Sequence, residues 1–392
     1  MKKLSELTFG LEGQKMFQIL AKAQGLERAG RQIVHFEIGD PQFDTPKNIV
    51  DAAVSALRSG KTHYTCSSGL FELRVAAAEA TEKSRGFKPE LSQLLVTPGA
   101  NYQLRLVIGC SIEPGEEVIV PDPGFVSYAS LIKNAKAIPV SAPLYEKNNF
   151  RLNPDDVEKA ITDKTRMIII NSPNNPTGAV MTADEIKRMY EIAKEKDLWL
   201  VSDEVYARTI YGDFKEKFCS PSKYDFCKER TIIVNGFSKA YAMTGWRLGV
   251  VTGPSELIEK MTLLLESELS CVSPFVQLAG IEALRGSQEL KFEMRDAYRK
   301  RKEVAVEGLN SLPGIRCVHP EGAFYAFPNI TQTGFGSEEF ADFMLREADV
   351  ALCPGNFFGK YGEGYARICF ATSVENIELG IGRMRKALEE RV

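Results

Sequence analysis

The chain has 392 residues, 44% of them hydrophobic and 26% charged, and its 49 Lys plus Arg against 52 Asp plus Glu leave a formal charge of −3. That length exceeds one ordinary core, which excludes a small binding module, and the composition is that of a globular chain rather than a disordered or disulfide-dense one. The even charge balance argues against nucleic acid as a partner.

Taken in chain order, the N-terminus Met1-Lys2-Lys3-Leu4-Ser5-Glu6 turns polar where a signal peptide needs an apolar core. No run approaches the roughly 18 apolar residues of a membrane span, so a cytoplasmic protein with no membrane partner is expected. Residues 1–45 are too short for a domain and read as an arm joining a second, smaller one. From about residue 93 to 252, short apolar runs alternate with amphipathic stretches, the pattern of a sheet covered by helices on both faces. The candidate strands are Leu94 to Thr97, Glu117 to Val120, Ala137 to Val140, Arg166 to Ile170, Trp199 to Ser202, Thr231 to Val234 and Leu248 to Val251. Between them lie helical patterns such as Thr182 to Lys196, whose Thr182-Ala183-Asp184-Glu185 start is a capping box.

After about residue 290 the pattern changes to a long charged helix, Leu290 to Ser311, then short strands around Phe324 to Pro328 and Ala366 to Ala371, and a last helix from Val374. The run Arg299-Lys300-Arg301-Lys302 in that long helix reads as a solvated face. The fold class expected is α/β: a large domain, 46–288, with a mostly parallel seven-stranded sheet covered by helices, and a smaller α+β domain, 289–392. Eight cysteines without a Cys-x-x-Cys pair, and only His35, His63 and His319, point to reduced thiols and to no metal site.

In such a sheet a ligand sits at the carboxyl ends of the strands, which here carry Thr97-Pro98-Gly99, Pro121-Asp122-Pro123, Asn171, Asp203 and Asn235-Gly236. The stretch Asn235-Gly-Phe-Ser-Lys239-Ala-Tyr-Ala-Met-Thr-Gly-Trp-Arg247 puts an amine and a guanidinium at one strand-end cleft. Upstream stand Asn171-Ser-Pro-Asn-Asn175-Pro-Thr-Gly178 and Asp203-Glu-Val-Tyr206, and far downstream Gly364-Tyr-Ala-Arg367. Between Asn175, Asp203, Lys239, Arg247 and Arg367 the spacings are 28, 36, 8 and 120 residues.

In their order and spacing these elements resemble the fold-type I pyridoxal phosphate enzymes, and within them the class I/II aminotransferases typified by aspartate aminotransferase. The resemblance runs from Gly39-Asp-Pro to Arg367. It implies pyridoxal 5′-phosphate as cofactor, with Lys239 as the Schiff-base lysine and proton shuttle and Asp203 as the carboxylate paired with the ring nitrogen. It implies Asn175 and Tyr206 at the cofactor's phenolic oxygen, Phe125 against its ring, and Arg367, with Gly39 and Asn175, on the substrate. The Asn–Pro bond after Asn175 is often cis in that family. The phosphate is assigned to Gly99, Ala100 and Asn101 at a helix start, to Arg247 and to Ser238, the latter because Gly236 stands where the family often has a serine. Tyr64 matches a tyrosine that reaches the partner subunit's phosphate, which implies a homodimer with shared sites.

The implied reaction is ping-pong exchange of an amino group between an L-amino acid and a 2-oxo acid. A lyase on the same cofactor, of the carbon–sulfur or aminocyclopropane carboxylate synthase type, is the alternative. A cofactor-sensing regulator would need an N-terminal DNA-binding domain, and about 45 residues leave no room for one. Acyl-CoA-condensing synthases lack the Asn-Pro-Thr-Gly element. Side-chain preference stays open: one aspartate-specific subgroup has a lysine where this chain has Asn101, another uses an arginine in the region matching Ser267 to Pro274, and Ser67, Ser68 or an arm residue are the remaining candidates for a distal carboxylate.

Overall fold

The computed structural model describes residues 2, 4, 13–212 and 218–391, so most of the Met1–Glu6 stretch lies outside the described residues. Helix α1 (Met16–Arg28) leads into β1 (Val34–His35), α2 (Lys47–Arg58) and α3 (Phe71–Arg85). The central part then runs β2 (Leu94–Thr97), α4 (Ala100–Ser111), β3 (Glu117–Asp122), α5 (Ser127–Asn134), β4 (Ile138–Pro143), α6 (Pro154–Ala160) and β5 (Thr165–Asn171). It continues through α7 (Ala183–Glu195), β6 (Trp199–Asp203), β7 (Thr231–Val234), β8 (Gly249–Thr252), α8 (Ser255–Leu269) and α9 (Pro274–Arg285). The last part holds α10 (Glu289–Asn310), β9 (Tyr325–Ala326), α11 (Ser337–Glu347), β10 (Val350–Ala351), β11 (Cys353–Pro354), β12 (Ala366–Cys369) and α12 (Val374–Glu389).

Strands β2 to β8 form one seven-stranded sheet in the order β2-β8-β7-β6-β5-β3-β4. The strands read as apolar runs because both faces are covered: Ile168, Ile170 and Leu200 belong to one core, Met167, Ile169 and Val201 to another. Only β8 runs against its neighbours, β2 and β7, so six strands point one way and the start of β8 meets their carboxyl ends. Several strands outrun their expected limits at exactly those ends. Asp122, Asn171 and Asp203 are the final residues of their strands, not the first of the loops, because the ladder persists to the rung pairing Asn171 with Asp203. The fourth strand also starts one residue later than expected and extends to Pro143.

A separate core gathers Met294, Tyr298, Phe324, Phe340, Val350, Ile368 and Met384 around the three-stranded sheet β11-β12-β9. β1 adds to it by pairing in parallel with β10, and α1 packs Ile19 and Ala23 against Leu345 and Ala351. The basic run in α10 differs from the solvated face expected of it. Arg301 is half-buried with its guanidinium 4.9 Å from the Phe43 ring, and Lys302, 12% exposed, pairs with Glu303 at 2.8 Å. Arg301 also donates to Gln42 Oε1 at 3.0 Å, so these basic side chains lie along neighbouring rings and polar groups, which a charge count does not register. All eight cysteines are unpaired. No helix among the described residues is long and apolar enough to cross a membrane.

Candidate active site

The turn after β5 meets β12, and β12 meets the segment after β1, through the bonds of Arg367 to Asn175 and to the Glu37 carbonyl. Asp203 closes β6 and is 4% exposed. Its carboxylate accepts from the Tyr128 hydroxyl at 2.6 Å and from the Val205 amide at 3.3 Å, and no cation among the described residues is paired with it. Burial pushes its pKa up to about 6, against the pull of those two hydrogen bonds and with a small addition from Glu204. Beside it, Asn171 donates to the Asp203 carbonyl at 3.0 Å and accepts from the Asn175 amide at 2.9 Å, so the turn after β5 is tied to the end of β6. The Asn175–Pro176 bond is cis.

Lys239 lies in the turn after β7 and donates to the Gly39 carbonyl at 2.5 Å. Burial lowers its pKa to about 8; Asp40 and Cys369 oppose the shift, and Arg367 and Arg247 add to it. A neutral amine is therefore accessible near physiological pH. Gly39 has no room for a side chain, since a Cβ there would fall 2.0 Å from the Tyr325 hydroxyl.

The start of α4 has no side-chain cap and carries the free amides of Ala100 and Asn101. Arg247, which immediately precedes the Leu248–Gly249 step into β8, reaches this helix start because β8 is reversed. Gly99 adopts φ +86°, and a Cβ on it would lie 2.7 Å from Arg247 Nη2. Gln103 clamps the two elements by bonding both the amide and the carbonyl of Asn235, at 3.0 and 2.8 Å. Ser238 is half-buried on the same turn. Gly236 is open: a Cβ would sit no closer than 3.5 Å to any neighbour and 3.8 Å from the Ala100 amide nitrogen.

Arg367, in β12, is 1% exposed and lies between the rings of Tyr325 and Phe358, each 4.7 Å away. Its Nη1 donates to Asn175 Oδ1 at 3.2 Å, its Nη2 to the Glu37 carbonyl, and its buried Nε has no partner among the described residues. A guanidinium held this way keeps donor capacity for a carboxylate. The Tyr206 hydroxyl meets that of Tyr325 at 2.8 Å. Phe125 packs edge-on against Tyr128, centroids 5.6 Å apart.

Lys239, Asp203, Tyr206, Asn175, Gly39 and Arg367 thus stand in one cluster, with Gly99, Ala100, Asn101, Ser238 and Arg247 at its rim and Phe125 packed on Tyr128 beside Asp203. Tyr64 is not brought to them within one chain; it is 87% exposed. Tyr128, Tyr325, Phe358 and the Glu37 carbonyl are functional neighbours that sequence reasoning missed. Tyr128 was within sight, three residues beyond Phe125, but the others lack a local signal. The features suit pyridoxal phosphate: a buried carboxylate short of a cationic partner, uncapped helix amides facing an arginine, and a glycine cradle that a Cβ would fill.

Comparison with known proteins agrees in outline. The family model for aminotransferase class I and II matches residues 31–384. An aspartate aminotransferase of Pyrococcus horikoshii is 43% identical over 98% of this chain and 97% of its own length. An aromatic-amino-acid aminotransferase of Thermococcus litoralis is 42% identical over 97% of this chain and 96% of its own. The solved aspartate aminotransferase of Thermus thermophilus with maleate superposes with a TM-score of 0.94 at 34% identity, covering 99% of this chain and all of the other.

Proposed function

The chain belongs to the class I and II aminotransferases, and from that membership we propose the roles that its individual residues play. It is a pyridoxal phosphate-dependent enzyme that moves an amino group between an L-amino acid and a 2-oxo acid in two half-reactions. Lyase chemistry on the same cofactor is not favoured, since relatives at 43 and 42% identity are named aminotransferases. When bound, pyridoxal phosphate supplies a reactive carbonyl and an electron-withdrawing ring that together acidify the substrate's α-carbon.

The protein's own groups do the rest in this reading. Arg367, with Asn175 and Gly39 beside it, grips the α-carboxylate and so turns the α-proton toward Lys239. Lys239 takes that proton as a general base, its amine freed near neutral pH by burial, and returns it at the neighbouring carbon. Asp203 keeps the ring nitrogen protonated, and Tyr128 holds that carboxylate in place. Asn175 and Tyr206 bond the phenolic oxygen, and Phe125 bounds the ring. The amides of Ala100 and Asn101 behind Gly99, with Arg247 and Ser238, receive the phosphate. A homodimer is proposed, in which Tyr64 completes the partner subunit's phosphate site. Its support is the exposed apolar row Val50, Val54 and Leu57 on one face of α2, together with the exposed Phe71, Leu263 and Leu269. The division into an arm (1–45), a large domain (46–288) and a small one (289–392) is supported by cores drawn wholly from 46–288, such as those of Leu95, Met167 and Val251 and of Leu73, Leu248 and Ala279, while the core around Phe324 draws mainly on 289–392; a cytoplasmic location remains part of the same proposal.

The observation that carries these roles is the single cluster of Lys239, Asp203, Asn175 and Arg367. Its test is a half-reaction. A competent amino acid alone bleaches the visible cofactor band of the wild type, pyridoxamine phosphate accumulates stoichiometrically, and a 2-oxo acid restores the band. Lys239→Ala has no such lysine-linked band and no borohydride-reducible adduct. Multiple turnovers to pyruvate and ammonia, or to a cyclic product, with no oxo acid present would show a lyase instead.

A further inference from the structure

Residues 36–39, which follow β1, present carbonyls to two cations of the site: Glu37 O receives Arg367 Nη2, and Gly39 O receives Lys239 Nζ. A carbonyl can aim a guanidinium only if its own chain is held. Part of the hold is the ladder, with the Phe36 amide bonded to the Ala351 carbonyl at 2.8 Å and the Cys369 amide to the Phe36 carbonyl at 2.9 Å. The Cys353 thiol also donates to the Glu37 carbonyl at 3.3 Å, and a further hold comes from a side chain that the mechanism leaves unused. Glu37 is fully buried, and its Oε1 lies 2.8 Å from His35 Nδ1, while His35 Nε2 lies 3.0 Å from Glu27 Oε1 on α1.

An imidazole whose two nitrogens both face ionised carboxylates carries both protons, since such oxygens can only accept. The bond to Glu37 is the main reason its pKa rises to about 9, against the cost of burial and with Glu27 adding to the rise. Glu27 and Glu37 are the charged groups facing the ring. From the other elements packed on the strand, β10 brings Val350 and Ala351, and α12 brings Gly380 against Val34 and Phe36. Glu37 would be an expensive buried charge without this cation, and breaking one side of such a pair frees the chain around it.

We propose that His35 and Glu37 are a positioning pair for Arg367: their ion pair, buried at its Glu37 end and one-third exposed at His35, fixes the 37–39 backbone and with it the direction in which the guanidinium meets the substrate's α-carboxylate. The proposal rests on Arg367 being the carboxylate clamp. Glu37→Leu fills the same volume without an acceptor. In that holoenzyme KM for every competent donor rises about tenfold while kcat stays within about twofold, the signature of lost binding rather than lost chemistry. The dissociation constant of the α-methyl analogue of the best donor, which binds but has no α-proton to lose, rises by the same factor. Glu37→Gln, which can still accept from His35, recovers both values to within about threefold. His35→Leu, altered at the outer end of the pair, shows the same shifts and serves where Glu37→Leu fails to fold. Unchanged analogue binding in folded Glu37→Leu or His35→Leu, or a fall in kcat with KM untouched, overturns the proposal. If Arg367→Lys itself leaves analogue binding unchanged, the clamp reading has failed instead.

Discussion

At the scale of single residues, the site is governed by groups whose charge state the fold has shifted. Asp203 is the clearest, with a pKa pushed up to about 6 by burial. A carboxyl whose folded pKa is raised contributes stability that is present at low pH and is lost as pH rises through that value. At neutral pH the cofactor-free protein therefore carries a buried charge, and the displacement corresponds to ~3 kcal/mol at most. We expect Asp203→Asn to stabilise the cofactor-free protein by ~1–3 kcal/mol in denaturant unfolding at pH 7.5, the advantage fading as pH falls from 6 toward 4. The same variant should turn over several orders of magnitude more slowly, which steady-state kinetics reads directly. Arg367 keeps its ordinary charge and acts through its placement, a fully buried guanidinium walled by two rings. Arg367→Lys should lower kcat/KM by ~2–4 kcal/mol in barrier terms, because a point charge replaces a planar fork.

At the scale of elements, the rim proposed for the phosphate lies where the turn after β7, the start of β8 and the start of α4 meet. Gly99 is bound to its identity twice, by a φ of +86° and by the approach of Arg247 Nη2. Gly99→Ala should weaken cofactor binding about tenfold or more, ~1.4 kcal/mol, in a fluorescence titration of the cofactor-free protein. Gly236 is the contrasting case, because a side chain there meets no atom closer than 3.5 Å and would stand beside the Ala100 amide. Gly236→Ser should fold normally and hold cofactor at least as tightly as the wild type; a weaker hold in the same titration would remove the phosphate from that rim.

At the scale of the whole molecule, Tyr64 is the residue that one chain cannot explain. It is 87% exposed, and it follows α2, whose outer face is apolar. Mixing inactive Lys239→Ala subunits with inactive Tyr64→Ala subunits should restore activity, since one of the two sites in a hybrid dimer then has both residues. Mixing Lys239→Ala with Arg367→Ala should stay silent, because those two residues belong to one chain's site. Silence in both mixtures would mean that each site is built within a single chain.

The amino-acid sequence alone determined the elements and the local motifs. Strands buried on both faces must be continuous apolar runs, so all seven strands of the large sheet were legible, as was the Thr182 capping box that starts α7. Lys239 and Arg247, or Asn175 and Gly178, share one turn, and their proximity needs no tertiary information. Pairings across the chain did need it. Tyr128 reaches Asp203 over 75 residues, Tyr325 reaches Tyr206 over 119 and Glu37 reaches Arg367 over 330. Each depends on the order of the strands and on how the helices and the small sheet pack on them, and such long-range order is settled by which faces pack together, not by any local pattern of residues.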